Sequence, residues 1–213
     1  MLRTFAVLLI AVLLVLTIHR AVESLHAQNA TRNPHEPHYT ADGRMEPPSD
    51  YREWVFLSSG VDMSYNPRAM AAGHSMFDNV FVNPEAYKAF VATGAWPDKT
   101  VLVLEVRGAQ TKGSINHTGH FQTANLMGVE VHVKDEVRFP GKWAFFGFDD
   151  DKPAKMVATT AECYSCHAKN AAVDTTFVQF YPTLLEIAKN KNTLSPAYAK
   201  EAAVEEKTTT SPH

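Results

Sequence analysis

The chain has 213 residues, of which 23 are acidic and 20 basic, leaving a net charge of −3. That length suits one domain with a substantial core, and its 45% hydrophobic content is ordinary for a globular protein. The near balance of charge argues against nucleic acid or an anionic membrane surface as partner.

Arg3 provides a short positive start, and Phe5 to Ile18 is apolar apart from Thr17. A membrane span needs about 20 apolar residues, so residues 1–27 read as a cleavable export signal, with an uncleaved anchor as the alternative. A cut near Leu25-His26-Ala27 fits the small-residue rule. Residues 28–49 are rich in Pro, His, Asn and Asp without an apolar period, and read as a flexible linker. His35 and His38 lie in this stretch, where a solvated setting is favoured over metal loading.

A folded domain is expected over residues 50–195. Trp54 to Leu57 and Asn79 to Val82 read as strands. Asn83-Pro84-Glu85 then starts a helix, with Asn as cap, Pro at the first helical position and Glu at the positive end of the dipole. Tyr87, Phe90 and Val91 would share its buried face, and Gly94 would end it. Thr100 to Arg107 is strand-like, and residues 108–122 read as a polar loop. Met127 to Lys134 alternates, with Val129, Val131 and Val133 on one face and Glu130, His132 and Lys134 on the other. Trp143 to Phe148 is an aromatic strand, and Phe177 to Lys189 a helix that Pro182 delays or kinks. Residues 196–213 look like a disordered polar tail. The expected fold class is α+β, mainly antiparallel sheet with a few short helices and a C-terminal segment that carries the chemistry described next.

Chemistry concentrates at Cys163-Tyr164-Ser165-Cys166-His167, which holds both cysteines of the chain. Two thiols three positions apart on a helical turn can add across the vinyl groups of one haem, with the following imidazole as iron ligand. A tetrahedral zinc site wants four ligands, and a second cysteine pair is absent. A thioredoxin-like pair wants a strand–helix setting, and a structural disulfide closing so short a loop stabilises little. Haem c is the favoured alternative. No methionine follows His167, so the other side of the iron is expected to be open or weakly held, with Met127 and Met156 as unmarked candidates. An open position suits ligand binding or catalysis rather than electron transfer alone.

Several further segments resemble one family. Tyr51-Arg52-Glu53-Trp54-Val55, Val80 to Tyr87, Val133-Lys134-Asp135, Trp143 to Phe146, and the haem motif followed by Asp174, Phe177 and Phe180-Tyr181-Pro182 are similar to the cytochrome P-460 family and the related cytochromes c′-beta. The resemblance spans about residues 50–190. It implies an antiparallel β domain, a homodimer, one covalent haem c with five-coordinate iron, and a periplasmic location. It also implies a small nitrogen-containing ligand, with hydroxylamine oxidised or nitric oxide bound, and a redox partner protein.

On the same resemblance, Glu130 aligns with a distal carboxylate that moves protons, although alternation alone makes it an exposed strand residue. Phe77 looks like an aromatic wall of the distal pocket, with an ordinary core position as the alternative. The strand lysine that cross-links haem in P-460 members is replaced here by Leu104, and Lys99 and Lys112 are poorly placed to substitute. An uncross-linked haem follows, and hydroxylamine oxidase activity is weakened as an expectation. His117 and His120 read as solvated loop residues, while His132 either tunes Glu130 or lies on the surface.

Overall fold

A computed structural model describes Arg20 and residues 34–63 and 75–209. The expected export signal therefore lies outside the described residues, Arg20 apart. From Pro37 onward the chain forms one compact unit.

The sheet has five strands in sequential order: β1 (Val55–Val61), β2 (Met76–Val82), β3 (Val101–Gln110), β4 (Phe121–Lys134) and β5 (Trp143–Phe148). Every neighbouring pair is antiparallel. Among the described residues from Pro37 onward the α-helices are α1 (Pro84–Thr93), α2 (Glu162–Asn170), α3 (Pro182–Lys191) and α4 (Pro196–Thr209). The architecture is α+β, as the pattern of alternating runs implied.

Alternation separates two cores. On one face Val82, Leu102 and Trp143 pack with Phe90 of α1, Leu184 of α3 and Trp96. On the other, Val101, Val103, Val131, Val133 and Phe146 pack with Tyr51, Trp54 and Met45. The second face also buries Glu105, 1% exposed, which accepts hydrogen bonds from Tyr51 Oη (2.6 Å), Arg107 Nε (2.6 Å) and Asn79 Nδ2 (3.3 Å) and pairs with Arg52. A shift in the β1–β2 register between Phe56 and Ser58 lets β1 change phase. Leu57, at the shift, joins the helix-side core, and after it Ser58 and Gly60 border the cleft described below.

Several local expectations are corrected. Asn83 makes no side-chain cap bond to α1. Its Oδ1 instead accepts the Val101 amide at 2.8 Å, so the residue ties the helix start to β3. The buried positions of α1 are Ala86 and Phe90, one turn apart, whereas Val91 is 41% exposed. Gly94 does end the helix, in the left-handed conformation (φ +77°). The loop expected at 108–122 shrinks, because β3 runs to Gln110 and β4 begins at Phe121.

The linker and tail also differ from expectation. Met45, inside the stretch 28–49, is 1% exposed and bridges Tyr39 and Ala154. Met45 and Tyr39 thus anchor an otherwise polar segment to the second core. Residues 196–209 are helical rather than disordered. Ser195 Oγ accepts the Tyr198 amide at 3.2 Å, Pro196 opens the helix, and alanine-rich sequence favours its continuation. Tyr198 packs against the helix-side core. Among the described residues no helix is long and apolar enough to cross a membrane.

Candidate functional site

A cleft of about 440 Å³ opens between the sheet and α2, within the roughly 300–1,000 Å³ typical of cofactor pockets. Cys163, Cys166 and His167 all border it. Spaced three and one apart on α2, they fall on one helical face. Tyr164 fastens this helix over β5, its Oη accepting the Phe145 amide (3.3 Å) and donating to the Val157 carbonyl (3.2 Å). Both cysteine thiols are free. Burial pushes the Cys163 thiol up from its ordinary value, which keeps it protonated.

His167 is held in one tautomer. Its Nδ1 lies 2.7 Å from the Thr175 carbonyl oxygen, which can only accept, so Nδ1 carries the proton and Nε2 keeps its lone pair. Burial lowers the proton affinity of the ring, against the opposing effect of that carbonyl. A neutral imidazole with its free nitrogen toward an apolar cleft is the donor that haem iron requires. Phe177 lies against the ring at 4.2 Å between centroids, and Phe145 meets it near edge-on at 4.7 Å.

Two thiols, this imidazole and an apolar wall formed by Val80, Leu102, Leu104 and Val106 fit one haem. Cys163 and Cys166 would hold it covalently, and His167 would bind its iron. Among the described residues no group of three or more His, Cys, Asp or Glu is gathered for a bare metal ion.

The sheet supplies the wall facing α2. Leu104 and Glu130 are direct register partners on β3 and β4, and both border the cleft. Glu130 is solvent-accessible there rather than shielded. Phe77 does not line the cleft. Its neighbours Met76 and Asp78 do, and alternation turns Phe77 to the opposite face. Asp78 borders the cleft in its stead. It is half-buried, and its proton affinity is pushed up to about 6, first by burial and then by the charges of Glu130 and Asp62.

His132 is neither a surface residue nor simply a neighbour of Glu130. It is 8% exposed, stacked on Phe145 at 4.0 Å and edge-on to His167 at 5.1 Å. Burial, then the adjacent His167, keeps it neutral. His117 and His120 are exposed in the β3–β4 loop. Lys99 pairs with Asp135 at 2.7 Å, and Lys112 is exposed in the same loop as the two histidines. Met127 borders a separate cavity beside Pro47 and Asp149, and Met156 is 43% exposed. Among the described residues, Met63 and Met76 are the methionines that border the cleft.

No curated protein matches the chain. A family model described as cytochrome P460 matches residues 48–178, which takes in all five strands, α1 and the cysteine–histidine segment. With that match covering most of the chain, and the cleft furnished for haem, the protein belongs to the cytochrome P460 family.

Proposed function

We propose that the chain is an exported monohaem c-type cytochrome that handles a small nitrogen species, hydroxylamine or nitric oxide. Haem, when bound, supplies a redox-active iron that coordinates such a ligand and passes electrons onward. The observation that carries this reading is the placement of two carboxylates, Glu130 and Asp78, in a largely apolar cleft that Cys163, Cys166 and His167 also border. Glu130 accepts a proton from an N–H or O–H of the ligand, and Asp78, holding its own proton up to about pH 6, stands by on the same wall. Glu130 is open to solvent there, so a proton taken from the ligand can pass on to water.

Optical spectra of the reduced protein, with and without nitric oxide, test whether the second axial position is open. A low-spin spectrum that nitric oxide leaves unchanged would sink the reading and point to Met63, Met76 or another side chain as a sixth ligand. Hydroxylamine oxidation with an artificial acceptor should fall at least tenfold in Glu130→Gln. Unchanged turnover would remove the glutamate from its role.

One observation favours a second reading. Leu104, not lysine, is the register partner of Glu130, so an unmodified macrocycle in an apolar pocket suits reversible nitric oxide binding without oxidation. In that case the reduced protein binds nitric oxide and hydroxylamine is not turned over. A haemochrome spectrum of plain haem c would support the absence of a cross-link. The same proposal places the protein in a bacterial periplasm, as a homodimer passing electrons to a redox partner protein. Analytical ultracentrifugation of haem-loaded material checks the dimer.

A further inference from the structure

The turn that receives His167 is held from three sides. Asp174, in the left-handed conformation (φ 51°), has its carboxylate 3.4 Å from Lys134 Nζ. Thr176 Oγ1 accepts the indole N–H of Trp96 at 2.8 Å and donates to the Val173 carbonyl at 2.8 Å. Between them, Thr175 has its hydroxyl 3.2 Å from His132 Nε2. Its carbonyl accepts the His167 Nδ1 proton.

Among these anchors His132 alone touches both the turn and the imidazole itself. Its ring is fixed by Phe145, stacked within 9° of parallel, and by Trp143 at 4.4 Å. A ring locked in this way cannot follow a drifting partner. The hydroxyl of Thr175 is therefore held in register, and the carbonyl on the same residue is held with it. A carbonyl kept on the line of the Nδ1–H bond strengthens that bond and makes Nε2 a better donor.

We propose that His132 is a positioning residue for His167, acting through the Thr175 hydroxyl to fix the carbonyl that orients the imidazole and raises its donor strength. This rests on His167 being the iron ligand, as in the function proposed above.

The test uses haem-loaded, reduced protein and reads the iron–histidine stretching frequency by resonance Raman. Thr175→Val keeps the shape and the carbonyl but loses the hydroxyl. His132→Phe keeps an aromatic ring but loses the nitrogen. Each variant should lower the frequency, and the double variant should lower it no further, because one hydrogen bond is removed in all three. Thr175→Ser, which retains the hydroxyl, should restore the native frequency. A band that is present in the native protein and unmoved in Thr175→Val overturns this inference alone. Additive shifts in the double variant also overturn it. A native reduced protein with no iron–histidine band overturns both this inference and the proposed iron held by His167 alone, on which it rests.

Discussion

Asp78 offers a quantitative test of the cleft's electrostatics. Its carboxyl is pushed from the ordinary 3.8 to about 6, chiefly by burial and then by Glu130 and Asp62. Each tenfold change in proton affinity is worth ~1.4 kcal/mol. Ionised Asp78 therefore costs the folded state on the order of 3 kcal/mol at most, and partial solvent access cuts that to roughly half. The sign follows from linkage. Between the ordinary aspartate value and about pH 6 the folded state binds more protons than the unfolded one, so stability falls as pH rises through this window. Below it the penalty is absent, and above it the penalty is complete. Asp78→Asn removes the ionisation, so the variant should match the native protein near pH 4 and exceed it by ~1.5 kcal/mol at neutral pH. Urea denaturation of haem-loaded protein at closely spaced pH values measures the difference. Glu130→Gln should shift the native protein's fall to lower pH, because it removes one of the two repelling charges. A stability difference between Asp78→Asn and native protein that is flat with pH would refute the argument.

Glu105→Leu should destabilise the domain by roughly 3–5 kcal/mol in the same assay, because Arg107 and Tyr51 lose a buried partner. Gly94→Ala should lose roughly 1–2 kcal/mol, since the residue needs φ +77° and a new Cβ would sit 2.6 Å from that of Lys191. Intact-mass measurement should show one covalently attached haem in native protein matured in a host with an attachment apparatus. Cys163→Ala/Cys166→Ala should give the bare polypeptide mass under the same conditions.

The spacing of Cys163, Cys166 and His167 was legible because it is a local property: positions that close on a helix stay on one face wherever that helix goes. The strands around Leu104 and Glu130 were legible for a similar reason, since a period of two assigns faces without knowledge of partners. Phe77 shows the limit. With the second strand begun at Asn79, nothing local set the phase of the residues before it. Extending the alternation back from Val82 and Val80 places Asp78 and Met76 on the cleft face, as found. Asn83 and His132 were misjudged for a different reason. The Val101 amide, the Phe145 ring and the Thr175 hydroxyl are all distant in sequence, so cap preference and strand periodicity carried no trace of them. The polar tail misleads through composition: its alanines, lysines and glutamates are as compatible with a solvated helix as with disorder.

The helix-side face of β4 joins these pieces into one device. Glu130, His132 and Lys134 follow one another at the two-residue period, about 7 Å apart. Glu130 opens on the cleft beside Leu104. His132 meets His167 and the Thr175 hydroxyl. Lys134 reaches Asp174 in the same turn and donates to the Trp96 carbonyl at 2.7 Å. The valines between them are buried in the opposite core, with Val131 and Val133 fully inaccessible. A slip of one residue in the β3–β4 register would turn all three polar groups into that apolar core and the valines toward the cleft and the Asp174 turn. Burying Lys134 and Glu130 without partners would cost several kcal/mol. The apolar alternation that specifies the sheet thus also fixes where the carboxylate and the histidine-orienting group stand relative to each other, and neither can be displaced without unpacking the other face.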